Sequence, residues 1–528
     1  MWSSLPMLSL RANNFKARTQ RRMNTVFAFA VIPFLVGNAA LAETPATRAY
    51  DPATISLLDR LTFGATAEDA ERLQVMGVKH WLEAQLHPTP RDALPAAVQA
   101  QIDAMTISQK PMTELVADIA AKNKALNQIT DPDLKKAANQ VYQQMMSDLA
   151  KQAATRQILR DLYSPTQLRE RMTWFWFNHF NVHQGKADIR TMVADYEDKA
   201  IRPHALGRFR DLLEATLRHP AMQRYLDNAQ NAAGHINENY AREIMELHTM
   251  GVGSGYTQRD VEELARILTG VGVDANPENP HLSPELEGQL VRNGLFEFNP
   301  ARHDYGDKIF LGHTIKGRGF AEVDEALDIL ARHPATAHHI ALRIATYFVA
   351  DDPPKPLIDR LAEAFQLSDG DIATVLRAMV DAPEFASAQG GKFKDPLRYV
   401  LSAVRLAYDD KPILNTGPIQ GWLTRMAEGL YNHQTPDGYP LASSAWNGPG
   451  QLAVRFEIAR QIGSGSAGLF KPDEPGATDH PAFPQIQNAL YFAGLRQRLK
   501  PNTLAALDQA VSPQEWNALF LSSPDFMR

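Results

Sequence analysis

Apolar positions recur along most of the chain at the three-to-four spacing of amphipathic helices. Proline or Ser-Asp-Gly breaks separate successive helical segments at 321–333, 335–350, 355–367 and 369–381. Residues 164–167 combine an N-cap serine, a proline at the first helical position and a glutamine three residues after the cap, so a helix is predicted to start there. That helix is apolar on almost every side and should be buried. The pattern predicts a mainly α fold.

A helical hairpin that projects from the main body is predicted over residues 96–163. The region is rather polar, with an expected turn within 122–133. Its second half carries a single apolar stripe at helical spacing, formed by Leu134, Ala138, Val141, Met145 and Leu149. We expect this stripe to be the packed face of the second helix.

Strand character is confined to a short region after the glycine at position 270. Residues 295–298 and 308–311 have the composition of short strands and flank a loop of turn-forming residues. A small β-hairpin is therefore predicted near 294–312. The remaining pattern is helical, so residues 53–528 are predicted to form one multi-helical body that includes both hairpins.

The amino-terminal residues have the organisation of an export signal. Five basic residues precede an apolar run over 25–36, and Ala40-Leu41-Ala42 is a cleavage signal. Residues 1–42 are therefore predicted to be a signal peptide and 43–52 a tether, with a periplasmic or secreted mature protein. The apolar run is short for a membrane span, and an uncleaved anchor is the alternative interpretation; no later segment is apolar enough to span a membrane.

Charge and cysteine content exclude several classes of function. The 528-residue chain has a net charge of −6, which falls to −11 when the five basic residues of the leader are removed. An acidic mature protein does not favour nucleic acid as a partner. The chain contains no cysteine, which excludes thiol catalysis, zinc–thiolate sites and cysteine-bound iron–sulfur clusters.

The densest group of ionisable residues lies between 234 and 270, in two predicted helices joined by a glycine-rich elbow. Glu238, Arg242 and Glu246 are spaced i, i+4, i+8, which favours a structural ladder of ion pairs. Glu243 and His248 lie on other faces of the helix. They belong to a functional site only if residues from elsewhere in the fold reach them.

Two histidine motifs elsewhere supply such residues. His179 and His183 have the i, i+4 spacing of metal ligands, but no glutamate follows the first histidine as in a zincin. A hydrogen-bonded core histidine is the alternative interpretation of His179. His303 and Asp304 lie in the loop between the two predicted strands, where acid–base chemistry and ordinary turn formation are equally compatible with the pattern.

Ordered motifs run through nearly the whole chain from position 55 onwards. They include Leu58-x-Arg60-x-Thr62-Phe63-Gly64, Trp174-x-Trp176-x-Asn178-His179-Phe180, Asn237-Glu238-Asn239, Glu246-Leu247-His248-Thr249 and Pro436-Asp437-Gly438-Tyr439-Pro440. In this order they resemble the bacterial family known as domain of unknown function 1800. The resemblance implies an exported, mostly helical protein and suggests a co-encoded, secreted sulfatase-like protein as a partner. It supplies no catalytic residues.

The residues themselves support two functional hypotheses. The first is an extracytoplasmic, hydrolase-like enzyme with a His/carboxylate site. Its candidate catalytic residues are Glu243, Glu246, His303 and Asp304. His179, His248 and Glu246 are candidate ligands of a divalent metal, with a metal-free acid–base site as the alternative. The second hypothesis is a non-catalytic scaffold or binding partner of the sulfatase-like protein, in which the same charges form a structural network.

Overall fold

The computed structural model describes residues 50–89, 93–276, 278–388, 391–474 and 476–528. The predicted signal peptide (1–42) and all but the last three residues of the predicted tether lie outside these ranges. Tyr50 donates its backbone N–H to the carbonyl oxygen of Ala493 at 2.9 Å, and the first helix starts two residues later. No helix in the described ranges combines the length and apolar character needed to cross a membrane.

The prediction of a mainly α fold is confirmed, and helices occupy most of the chain. The first group comprises α1 (Pro52–Leu61), α2 (Ala67–Met76), α3 (Val78–Leu86), α4 (Ala96–Asp103), α5 (Thr106–Gln109), α6 (Met112–Gln128), α7 (Pro132–Tyr163) and α8 (Gln167–His179). The second group comprises α9 (Val193–Asp195), α10 (Phe209–Leu217), α11 (Pro220–Tyr225), α12 (Asn239–Glu243), α13 (Gln258–Ile267) and α14 (Pro284–Glu287). Two π-helical segments, Tyr196–Ile201 and Ile244–His248, continue α9 and α12.

The remaining helices follow the small β structure. They are α15 (Phe320–Arg332), α16 (Pro334–Phe348), α17 (Lys355–Leu367), α18 (Ile372–Val380), α19 (Pro383–Ser387), α20 (Pro396–Tyr408), α21 (Gly417–Arg425), α22 (Pro449–Gly463), α23 (Ala489–Ala493), α24 (Pro501–Leu507) and α25 (Pro513–Leu521). Most begin at or near a proline, as expected for residues whose missing N–H costs nothing in the first turn.

The buried aromatic helix α8 lies at the centre of the main core. Its residues from Gln167 to His179 are buried almost without exception, as the sequence predicts. The helix starts at Gln167 rather than after a Ser164 cap. Ser164 instead ends α7, and its hydroxyl donates to the Glu170 carboxylate at 2.9 Å. The far end of α8 therefore delivers Asn178 and His179 into the interior.

The predicted helical hairpin is formed by α6 and α7. The turn lies at 129–131, where the Asp131 carboxylate accepts hydrogen bonds from the first backbone N–H groups of α7. A small apolar cluster of its own holds the two helices together, with Leu115 and Ile119 against Met146 and Leu149. The predicted stripe is wrong towards the tip, because Leu134 and Val141 are 64% and 62% exposed.

The β structure consists of two small antiparallel sheets. The strands are β1 (Val271–Val273), β2 (Val291–Asn293), β3 (Phe296–Phe298), β4 (Lys308–Phe310) and β5 (His313–Ile315). Both predicted strands exist, but they do not pair with each other: β3 lies between β1 and β2, and β4 forms a tight hairpin with β5. A small β-hairpin is thus present in this region, with different partners for its strands.

Candidate functional site

Helix α12 changes its geometry within the segment 234–270, where the candidate residues Glu243, Glu246 and His248 lie. Asn239–Glu243 is α-helical, and Ile244–His248 winds as a π-helix. Ile244, Met245 and His248 face the core, whereas Glu243 and Glu246 are only partly covered. Gly251 closes the segment with φ +90°, and a Cβ there would lie 3.3 Å from the ring of His339. Single π turns often occur at functional sites, because they re-aim side chains relative to an α-helix.

The Glu238–Arg242–Glu246 ladder is present and structural. Arg242 lies 3.1 Å from Glu238 and 3.5 Å from Glu246. It also donates to the side-chain oxygen of Gln258 at 2.8 Å, and Gln258 donates to Glu238. The ladder therefore fastens this helix to the start of α13, as the structural interpretation of the sequence predicts.

Three histidine rings meet beneath the π turn. The ring centroid of His179 lies 6.0 Å from that of His248 and 6.0 Å from that of His339. The Nε2–H of His179 donates to the carbonyl oxygen of His248 at 2.9 Å, and the Nδ1–H of His339 donates to that of Thr249 at 2.7 Å. These contacts leave Nδ1 of His179 and both ring nitrogens of His248 without a partner among the described residues.

The histidines are held in their neutral form. Burial lowers the pKa of His179 well below its usual range and lowers the pKa of His248 to about 3. Burial also lowers the pKa of His339 to about 4. In all three cases the positive charge of Arg343 acts in the same direction. The cluster is thus uncharged at neutral pH.

Arg343 is the unpaired charge of this region. It follows His339 by one helical turn on α16 and is half-buried. Its Nε is buried without a partner, and no hydrogen bond or ion pair within 4.0 Å reaches the guanidinium from the residues the structure describes. Burial lowers its pKa to about 10, opposed by the negative charge of Asp437. An arginine in this setting is available to bind an anionic ligand.

Glu243, the last residue of α12, lies close enough to Asp437 for the two carboxyl groups to interact electrostatically. Its carboxyl group is half-buried and forms no hydrogen bond or ion pair within the described ranges. Burial raises the pKa of Glu243, the carboxylates of Glu246 and Asp437 raise it further, and the positive charge of Arg242 opposes this shift only in part. The side chain is therefore a carboxyl group with an increased tendency to hold a proton.

The loop that carries Asp437 is fixed to the end of α8. Asn178 donates to the carbonyl oxygen of Tyr439 at 2.9 Å and accepts from its N–H at 2.6 Å. Gly438, with φ +73°, has no room for a side chain, because a Cβ would lie 2.0 Å from the carbonyl oxygen of Asn178. Asp437 itself is 62% exposed and accepts a hydrogen bond from Thr435. The loop thus holds a solvated carboxylate beside the histidine cluster.

His303 and Asp304 belong to a different network. Nε2 of His303 lies 2.9 Å from Glu322, and its Nδ1 lies 2.8 Å from the carbonyl oxygen of Thr269. The ammonium group of Lys308 completes the cluster on the same Glu322. Asp304 pairs with Arg266 at 2.8 Å. No hydrogen bond, ion pair or ring contact in the described part of the chain joins them to Glu243 or the histidine cluster, so they do not complete that site.

The proposed metal ligands only partly converge. His179 and His248 lie together, but Glu246 pairs with Arg242, and His183 follows the end of α8 and contacts Asn432 at 3.3 Å. Over the described ranges, no three His, Asp or Glu side chains are grouped so that they could hold a metal ion. The divalent-metal hypothesis therefore gains no ligand set from the structure.

Sequence reasoning missed His339 and Arg343. Both lie in an otherwise apolar helix, four residues apart, which places them on one face. This spacing is a signal that the sequence does contain, because ionisable residues on one face of a mostly buried helix are uncommon unless they are paired or functional. The sequence offers Asp437, beside Tyr439 and Trp446, as part of a recognition loop or of a plug of the core, but it does not show that this loop reaches α8.

Comparison with known proteins adds the family. No curated protein and no solved structure matches the chain. A family model described as "Protein of unknown function (DUF1800)" matches residues 56–528, which is nearly the whole chain. The motif order and this match agree, and the chain belongs to the DUF1800 family.

Proposed function

We propose that this protein is an extracytoplasmic hydrolase whose acid–base site is the cleft lined by Glu243, Asp437 and Arg343. The observation that carries the proposal is the contrast between two neighbouring carboxyl groups. Glu243 is half-buried, has no hydrogen-bonding partner in the part of the chain that the structure describes, and has a raised pKa, whereas Asp437 faces water and accepts hydrogen bonds. Neighbouring carboxyl groups in unlike environments are the usual basis for separate acid and base roles.

The chemistry follows from these environments. Asp437 takes a proton from a water molecule as the water oxygen forms a bond to the electrophilic atom of the substrate. The bond to the leaving group breaks, and protonated Glu243 gives its proton to the departing atom. Arg343, which has no counter-charge within 4.0 Å among the described residues, stabilises the negative charge that develops on the substrate. Glu246 raises the pKa of Glu243 by its charge.

The neutral histidines have a supporting role in this proposal. His179 and His339 each use one ring N–H on a backbone carbonyl, so their remaining nitrogens are hydrogen-bond acceptors. The acceptor on His339, which is only partly buried, suits a substrate that carries hydroxyl or amide N–H groups, whereas His179 and His248 are buried and line the interior. His248 has both ring nitrogens unpartnered among the described residues and can donate one bond and accept another.

The test is hydrolysis of chromogenic ester, glycoside, phosphate, sulfate and peptide substrates by the purified protein. Glu243→Gln should lose activity by about 10²–10⁴-fold without loss of fold, and activity should fall as pH rises and Glu243 loses its proton. Glu238→Gln, five residues away on the same helix, is the matched control and should keep its activity. Hydrolysis that survives both Glu243→Gln and Asp437→Asn would contradict the proposal.

The alternative is a scaffold for an exported, sulfatase-like partner. It predicts no hydrolysis by the wild-type protein and a co-purifying partner that is lost in Glu243→Gln or Arg343→Gln while the fold is kept. Pull-down from the native host, with Glu238→Gln as the control, separates the two functions.

A further inference from the structure

A second site lies away from the acid–base cleft. A cavity of about 400 Å³ opens between α1, α20 and the segment 495–500. This volume is within the range of small-molecule sites. None of the residues of the proposed catalytic cleft lines it. The cavity therefore requires its own explanation.

The cavity has an apolar floor. Leu406, Leu499, Phe520 and Phe526 contribute to its lining. Such a surface favours an apolar ligand body, because it leaves water on contact.

The acidic residues of the lining are already engaged. Asp59 lies 3.1 Å from the ammonium group of Lys394. Asp525 accepts hydrogen bonds from the backbone N–H of Lys500 at 2.8 Å and from the hydroxyl of Thr503 at 2.7 Å. Both carboxylates line the cavity, but each already has protein partners.

The basic residues are not fully engaged. Arg498 is half-buried, lines the cavity, and has no hydrogen bond or ion pair within 4.0 Å among the described residues. Its charge lowers the pKa of Asp59, which already pairs with Lys394. Lys500 and Arg528 line the same cavity. The chain as a whole carries a net charge of −6, so a cationic opening over an apolar floor is a local feature.

We propose that this cavity binds a small amphipathic monoanion, with its apolar body on the leucine and phenylalanine floor and its anionic head on Arg498. A guanidinium without a protein partner suits a carboxylate or sulfonate, to which it can donate two parallel hydrogen bonds. The net charge of −6 on the whole chain disfavours a polyanion. The site does not depend on the proposed hydrolase function.

The probe is 1-anilinonaphthalene-8-sulfonate, an apolar ring system with one sulfonate group. Its fluorescence should report one equivalent bound per purified protein molecule. Arg498→Gln should weaken binding at least about tenfold, as expected for loss of a charge-assisted hydrogen bond. Arg496→Gln is the matched control. It removes the same charge from the segment 495–500, but the side chain of Arg496 is exposed and does not line the cavity.

Competition tests the class of ligand. Octanoate should displace the probe, octanol should do so far less well, and octyltrimethylammonium should fail. Leu495→Trp, which adds a large side chain to the lining, should also reduce binding. Equal affinity in Arg498→Gln and wild type, equal competition by octanoate and octyltrimethylammonium, or no binding by the wild type would overturn the proposal.

Discussion

Glu243 and Arg343 are half-buried ionisable residues that lack a hydrogen-bonding partner in the described part of the chain. Burying a charge without a partner costs stability. By contrast, Arg171, in the same core, donates to Thr62 and Tyr347 and lies over three aromatic rings. The difference supports the proposal that Glu243 and Arg343 serve a ligand rather than the fold.

Replacement of Arg343 should therefore separate stability from function. Arg343→Met keeps the length of the apolar stem and removes the uncompensated charge, so we expect the free energy of unfolding to rise by about 1 kcal/mol. Hydrolysis should fall by about 10²-fold, because the developing negative charge loses its cation. Urea denaturation and the chromogenic assays measure the two effects.

Arg332→Met is the control for this prediction, since Arg332 is exposed and pairs with Asp328 and Asp369 on the surface. Arg332→Met should change neither the free energy of unfolding nor the rate of hydrolysis by much, because exposed ion pairs contribute little to stability. A loss of stability in Arg343→Met comparable to a core substitution would show that the arginine is structural.

Sequence reasoning reached only some of the residues in this region. It identified Glu243, His248 and His179 as a possible group, and it assigned Arg242 to a ladder that the structure contains. It did not reach Arg343: the four-residue spacing of His339 and Arg343 marks their helix face, but the sequence does not show that this face packs against the π turn. The sequence also does not predict the π-helical turn, because hydrophobic periodicity does not distinguish one π turn from an α-helix.

At the scale of elements, the small β structure is tied to the helical body by a buried ionic cluster. Glu322 on α15 receives hydrogen bonds from His303 and Lys308, whose side chains are fully buried. The same carboxylate accepts the backbone N–H groups of Arg318 and Gly319. One side chain therefore fixes β4, the 303 loop and the start of α15.

Glu322→Gln should be strongly destabilising. The variant leaves Lys308 buried without its counter-charge, and removal of one partner from a buried pair costs about 3–5 kcal/mol. Denaturant unfolding measures the change. Glu325→Gln is the control on the same helix, because its partner Arg318 is exposed and the pair should contribute less than about 1 kcal/mol. If Glu322→Gln lowers the free energy of unfolding no more than the control does, the buried cluster does not hold the β structure to the helical body.

Prediction at the element scale was good for helices and poor for strand partners. The turn of the α6–α7 hairpin and the buried helix α8 were both anticipated from periodicity and proline placement. The strands β3 and β4 were also located, but each pairs with a strand that the sequence did not reveal. Three-residue strands carry too little alternation to specify which neighbour they bind.

Over the whole molecule, buried ionisable groups act in opposite directions on the pH dependence of folding. The pKa of His248 is lowered to about 3 and that of His339 to about 4, both by burial. Their stabilising contribution is present above the unfolded pKa of about 6.5 and is lost as pH falls through the folded values. Glu197, buried and bonded to the hydroxyl of Tyr431, has its pKa raised by burial to about 7.

Glu197 should limit stability on the alkaline side. Its contribution is fully present below the unfolded pKa of 4.5 and is lost as pH rises through about 7. Glu197→Gln removes this titration, so the free energy of unfolding at pH 8 should rise by a few kcal/mol, on the order of 3. At pH 4, where the wild-type carboxyl is protonated in both states, the variant should match the wild type.

Urea denaturation at intervals from pH 4 to pH 8 measures the loss of stability on the acid side (the acid limb) and on the alkaline side (the alkaline limb). His248→Gln should flatten the decline of stability below pH 6.5 and leave the alkaline limb unchanged, whereas Glu197→Gln should do the reverse. The stability maximum of the wild type should therefore lie between the two titrations and move upward in pH in Glu197→Gln. A variant that shifts the whole curve equally at every pH would show that its side chain acts through packing and that its ionisation does not contribute.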